Sequence, residues 1–363
     1  MKDAVLYLED GTIFRGTSLN THGETAGEVV FNTALSGYQE VLTDPSYAGQ
    51  IVVMTYPLIG NYGVNTEDVE SSGIHVQGFV VKEFCRTHSN HRASGSLIQY
   101  LDDNKIIGIE GVDTRALTRH LRLSGAMKGL IATDEFDPAR LKARLSQTAS
   151  MDGADWVQHV AVKKPYVWKC NGDKKYSIVA MDCGIKRNIL RIFADMGCEV
   201  HVVPPTMTAS EILALNPDGL FLSNGPGDPA AVTYVIETVR NLVGKLPIFG
   251  ICLGNQMIGL ALGGRTYKLK FGHHGSNHPV KDLESGRISI TAQNHGFCVD
   301  LKSLNPQDVE AIHINLNDKT VEGLRHKKFP LFSVQYHPEG APGPHDAQYL
   351  FGLFTDMMDK HKK

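Results

Sequence analysis

Between Tyr176 and Ala261 short apolar runs alternate with amphipathic stretches, and this rhythm restricts the fold more than any other feature of the chain. "YSIVAMDCG" reads as a strand and "IKRNILRIFADMG" as an amphipathic helix stopped by Gly197. "CEVHVVP", "DGLFLSNG" and "LPIFGI" read as further strands, separated by the helices "ASEILALN" and "AAVTYVIETVRNLVG". Strands that alternate with helices are joined by right-handed crossovers, which gives an α/β fold: a mostly parallel sheet flanked by helices on both faces. Such sheets bind ligands beyond the carboxyl ends of their strands, so the chemistry is sought there.

The first part of the chain has a different texture and predicts a β-rich α+β domain. "AVLYLEDGTIFRG" is a hairpin around Asp10-Gly11, a pair that tolerates positive φ. "GEVVFNT" and "GQIVVMTYPLIGNYG" add strands; "DTRALTRHLRLSG" is a helix capped by Asp113 and stopped by Gly125, and "DPARLKARLSQTA" is another. A chain of 363 residues exceeds one ordinary core. The expected division is an N-terminal domain over 1–150, a linker over 151–175 ("MDGADWVQHVAVKKPYVWKCNGDKK") and an α/β domain over 176–363. With 42% apolar residues, 21% charged residues and a formal charge of -3, nothing suggests a nucleic-acid surface. The acidic start "MKDAVLYLEDGTIF" lacks the apolar core of a signal peptide, and no apolar run reaches the roughly eighteen residues of a membrane span. Six scattered cysteines without a C-x-x-C pair predict reduced thiols and a cytoplasmic location.

"IFGICLGNQMIGLA" places Cys252 where a strand becomes a helix, with Gly250 and Gly254 on either side. This is the cysteine form of the nucleophile elbow G-x-S-x-G. A sharp strand-to-helix turn leaves no room for side chains two positions from the nucleophile, and glycine removes the collision. The turn also aims the sulfur at the unpaired N–H groups of the first helical turn, which favour thiolate. Burial as a packing residue is the ordinary fate of a cysteine in an apolar run, and the other five are read that way.

A thiol nucleophile needs a proton acceptor. "LFSVQYHPEG" supplies a strand from Leu331 to Tyr336 followed by His337-Pro338-Glu339. Proline holds His337 near extended geometry, where residues two apart share a face, so Glu339 can orient the imidazole. An H-P-E turn by itself is more often solvated; its place at a strand end of the same sheet gives it weight. "FLSNGPGDPAA" leaves another strand through Gly225 and Gly227. A dinucleotide fingerprint through Gly225, Gly227 and Ala230 fails on Pro229 and on the missing acidic residue downstream. An oxyanion loop fits better, with a second donor from the N–H of Leu253.

G-I-C-L-G-N-Q, N-G-P-G-D-P and H-P-E, in that order on an α/β pattern, resemble the class I glutamine amidotransferases. The whole chain resembles more closely the small-subunit family of glutamine-dependent carbamoyl-phosphate synthetases, through "GEVVFNTALSGYQEVLTDPSYAGQIVVMTYPLIGNYG", "KFGHHGSNHPVKD" and "TAQNHGFCVD". The resemblance implies that Cys252 attacks glutamine, His337 shuttles the proton, Glu339 orients His337, and Gly227 and Leu253 donate to the oxyanion. It also implies glutamine contacts from Ser46, Gly225, Gln256, Asn294, Gly296 and Phe297. Glutamate would be released and ammonia would pass through an internal tunnel to a large subunit. That partner would bind ATP and Mg and make carbamoyl phosphate from bicarbonate for arginine or pyrimidine biosynthesis. This chain, which lacks a Walker A motif, would bind no cofactor and no membrane.

Asn255 stands where this family usually has His, a departure that leaves rate or coupling open. His273, His274 and His278 are read as a Gly/Ser/Asn loop without zinc-like spacing, so no metal is expected. Arg115, Arg119 and Arg122 are read as a solvated helix face. Two rivals remain at this level: a stand-alone γ-glutamyl hydrolase, and a subunit that has lost catalysis. The N-terminal domain speaks against the first, and the complete Cys-His-Glu set against the second.

Overall fold

The computed structural model describes residues 2–19 and 21–362. It forms two compact units. One runs to Ala154 and includes Lys270–Gly275; the other comprises Asp155–Leu269 and the chain from Ser276 onward.

In the N-terminal unit seven strands close into a barrel. Asp3–Leu8 and Ile13–Ser18 form the hairpin, antiparallel with Asp3 opposite Thr17, and Gly11 takes a φ of 89° in its turn. The middle of the barrel is parallel: Glu24–Asn32 pairs with Gln50–Met54, which pairs with Gly78–Val80, which pairs with Ile107–Glu110. Met127–Ala132 closes it against Asp3–Leu8 and Glu24–Asn32. Alternation sorts the side chains. Ile51 and Val53 join one apolar core, while Val52 and Met54 join another with Tyr38, Leu42, Leu97 and Leu101. Strands covered on both faces read as unbroken apolar runs, which is why "IVVM" shows no alternation. The helix Thr114–Ser124 begins with the Asp113 carboxylate accepting from Ala116 N–H at 2.9 Å and ends at Gly125 with a φ of 104°. Its arginines 115, 119 and 122 are exposed.

The second unit carries a ten-stranded sheet. Its centre is parallel, with Cys198–Val203, Tyr176–Met181, Gly219–Leu222, Ile248–Ile251 and Leu331–Val334 side by side. Ile178 and Ala180 face a core closed by the helices Arg187–Asp195 and Tyr349–Lys362. Val179 and Met181 face the opposite core, with Thr233–Leu242 and Leu253–Ala261. Beyond Leu331–Val334 the sheet continues antiparallel through Val321–His326, Val309–Asn315 and Arg265–Asp282 and ends at Ile288–Asp300, an extension the α/β rhythm does not foretell. Two expectations are corrected there. The histidine-rich stretch around His273 and His278 is part of the strand Arg265–Asp282, not a loop, and the strand from Leu331 stops at Val334. Within 151–175 the chain forms the short helix Val157–Val160 and the edge strand Tyr166–Trp168, which pairs antiparallel with Cys198–Val203. Among the described residues no helix is long and apolar enough to cross a membrane.

Candidate active site

Three neighbouring parallel strands end at the residues singled out in the sequence. Gly219–Leu222 leads to Gly225 and Gly227, Ile248–Ile251 to Cys252, and Leu331–Val334 to His337. Backbone bonds lock the three ends together. Cys252 N–H donates to Val334 O at 2.8 Å, and Gly254 N–H donates to Ser223 O at 3.1 Å.

Cys252 has a φ of 54° and ψ of -103°, a sparsely populated conformation for a residue with a Cβ. Holding it costs on the order of 1–3 kcal/mol, which the surrounding packing must offset. The bracketing glycines allow the turn. A Cβ on Gly250 would lie 2.7 Å from Ile258 Cδ1 and 2.9 Å from the carbonyl carbon of Gly254, and one on Gly254 would overlap Leu222 O. Because that obstacle is backbone, Gly254→Ala is expected to destabilise the second unit by about 1–3 kcal/mol or more, which urea denaturation measures.

Cys252 is buried, and its thiol donates to Asn294 O at 3.5 Å. The N–H of Leu253, first residue of the helix Leu253–Ala261, donates to nothing among the described residues, and neither does the N–H of Gly227. These are donors still available to a developing oxyanion. Gln256, one turn into the helix, donates from Nε2 to Phe297 O at 2.7 Å, so Asn294 and Phe297 on Ile288–Asp300 stand against the nucleophile's helix. Gly296 lies between them, and a Cβ there would meet nothing within 4 Å. Ser46 belongs to the N-terminal unit, buried in the turn Pro45–Tyr47, where Asp44 accepts from its N–H at 2.9 Å.

His337 is tied to Ile288–Asp300 through its N–H, which donates to Ala292 O at 2.9 Å. Its ring Nδ1 lies 2.7 Å from Glu339 Oε1, and both side chains are buried. The other ring nitrogen, Nε2, is buried with no hydrogen bond of normal geometry among the described residues, while Cys252 is near enough to act on the ring. Burial is the largest single influence and disfavours the imidazolium, and Lys186 adds to it; the Glu339 carboxylate and Cys252 act the other way and together prevail. The imidazole pKa is therefore raised above its ordinary value. A buried carboxylate should likewise resist ionising, yet Lys186 first and His337 second hold Glu339 well below the usual carboxylate range.

Lys186 is the functional residue that the sequence reading missed. Its Nζ lies 2.6 Å from Glu339 Oε1 and donates to Ala341 O at 2.7 Å, with the side chain only 3% exposed. It sits in the turn leaving a fourth parallel strand, Tyr176–Met181, just ahead of the helix Arg187–Asp195. A lysine at a helix start ordinarily reads as solvated, and no local signal marks this one as buried.

The elbow, the buried His–Glu pair and the strand order together define a class I glutamine amidotransferase domain, and the family model "Glutamine amidotransferase class-I" matches residues 179–357. A second model, "Carbamoyl-phosphate synthase small chain, CPSase domain", matches residues 6–131. The chain is 54% identical to the carbamoyl phosphate synthase small chain of Syntrophotalea carbinolica, covering 99% of each. It is 53% identical to that of Solidesulfovibrio magneticus over 98% of each, and 54% identical to that of Chlorobaculum tepidum over 99% of this chain and 98% of the relative. The chain belongs to the carbamoyl-phosphate synthase small-chain family, the glutamine-hydrolysing subunit.

Proposed function

We propose that this chain hydrolyses glutamine to glutamate and ammonia through a thioester on Cys252 and delivers the ammonia to a large subunit. The observation that carries this reading is the buried His337–Glu339 pair, 2.7 Å apart, at the strand end adjoining the strained cysteine turn. The thiol proton passes to His337 and the sulfur attacks the side-chain carbonyl carbon of glutamine. The carbonyl oxygen takes negative charge, stabilised by the N–H groups of Leu253 and Gly227. The C–N bond then breaks as His337 returns the proton to the leaving nitrogen, giving ammonia and the γ-glutamyl thioester. Water attacks the thioester, His337 accepts its proton, and the sulfur departs, giving glutamate. Gly225, Gln256, Asn294, Gly296 and Phe297 are the glutamine contacts of this unit in the reading, and Ser46 is the contact implied by resemblance.

The large subunit makes carbamoyl phosphate from bicarbonate, with ATP and Mg held on that partner, in the cytoplasm, for arginine or pyrimidine biosynthesis. The family assignment over nearly the full length supports this reading. The test is glutamate release by the purified chain with and without its large subunit. Cys252→Ser is expected to abolish release, with ammonia-dependent synthesis by the mixed complex intact. Normal glutamine turnover by that variant would exclude the thioester route.

A further inference from the structure

Gln256 is held by more than its own helix. Its Nε2 donates to two acceptors, Phe297 O at 2.7 Å and Gln335 Oε1 at 3.2 Å. Asn255, beside it, donates from Nδ2 to the same Gln335 oxygen at 3.1 Å and accepts from the Ser333 hydroxyl through Oδ1 at 2.8 Å. Asn255, Ser333 and Gln335 are fully buried and Gln256 is 3% exposed. Gln335 sits two residues before His337, and its N–H donates to Glu322 O at 2.9 Å, which anchors it to Val321–His326.

The directions of these bonds are fixed as a chain. A backbone carbonyl can only accept, so Phe297 O requires the NH2 of Gln256 on its side. The second hydrogen of that NH2 then requires the oxygen of Gln335, and the oxygen of Gln335 requires the NH2 of Asn255. Asn255 is left with its oxygen for Ser333. Both amide hydrogens of Gln256 are therefore used inside the protein. Its Oε1 accepts from nothing among the described residues, so what Gln256 offers a ligand is an acceptor only. Gln335 meanwhile keeps a buried Nε2 without a hydrogen-bond partner among the described residues. An apolar side chain would fill that place with no such defect, so a polar one there speaks for a role beyond packing.

We infer that Asn255 and Gln335 are positioning residues that lock the amide of Gln256 with its oxygen toward the substrate, selecting a ligand that presents a hydrogen-bond donor, such as the ammonium group of an α-amino acid. The inference rests on the glutaminase reading. It also gives the departure at position 255 a physical content, since a His there can supply one N–H donor to Gln335 as Asn255 does.

The test compares glutamine with 4-carbamoylbutyrate, the same molecule without its amino group, for the full chain in complex with its large subunit. In Asn255→Leu and in Gln335→Met, KM for glutamine is expected to rise about tenfold with kcat changed less than about threefold, as for a lost binding interaction. The preference for glutamine over the deamino analogue should shrink by the same factor, and Asn255→His should restore it. Where Asn255→Leu fails to fold, Gln335→Met, which nearly conserves volume, gives the same reading. An unchanged preference in either folded variant would overturn the inference and leave the glutaminase reading standing. Absence of glutamine hydrolysis by the wild type would overturn both.

Discussion

Glu339→Gln is expected to lower kcat/KM for glutamine by about 10²- to 10⁴-fold and to move the alkaline limb of its pH profile toward acid. The sign follows from the charges around His337. Burial by itself favours the neutral ring, and the Glu339 carboxylate is the largest influence in the opposite direction, ahead of Cys252. With Gln in place of Glu339, burial and the adjacent Lys186 both drive the proton off, so the folded-state pKa falls. The departing nitrogen of glutamine needs a proton from the imidazolium. A raised pKa keeps that form populated above neutrality; a lowered one removes it sooner as pH rises. The profile of kcat/KM against pH for the two proteins measures the shift. An alkaline limb that stays in place in a folded variant would show that Glu339 does not govern the charge on His337.

Much of this site was legible in the residues, and the reason is steric. A nucleophile elbow needs glycine at fixed offsets because other atoms occupy the space a Cβ would take, here Ile258 Cδ1 near Gly250 and the backbone of Leu222 near Gly254. The alternation of apolar runs and amphipathic stretches gave the parallel centre of the sheet for an equally direct reason: both faces are covered. Where demands are not local, the sequence is silent. Arg265–Asp282 is rich in Gly, His, Ser and Asn, residues that read as loop, yet it is a strand beside Ile288–Asp300, with only Val280–Asp282 paired to Val309–Asn315. The cap of the helix Thr114–Ser124 could be read off Asp113, whereas the closing of the barrel by Met127–Ala132 could not, because it rests on partners from the start of the chain. In the sequence Asn255 reads as a lone departure, whereas Gln335 and Ser333, far along the chain, hold its two ends.

Lys186→Met is expected to destabilise the second unit by about 3–5 kcal/mol, the range for removing one partner of a buried ion pair. Nothing local predicts so large an effect, but Glu339 is fully buried, its Oε1 serves both Lys186 and His337, and its Oε2 has no hydrogen bond among the described residues. Without the ammonium, His337 alone compensates the carboxylate. Lys186 is also the largest influence holding the Glu339 pKa down, from 4.5 to about 2. A depressed carboxylate pKa contributes stability that is complete above the unfolded value and lost as pH falls through the folded one. The wild type should therefore lose this contribution between about pH 4.5 and 2, and Lys186→Met, with a higher folded pKa, should have less to lose and lose it at higher pH. Urea denaturation at several pH values reads both effects. The double variant Lys186→Met, Glu339→Gln removes both charges together, so its loss should be smaller than the sum of the two single losses. Strictly additive losses would mean that the 2.6 Å contact carries no coupling, and that Glu339 owes its ionisation to His337 alone.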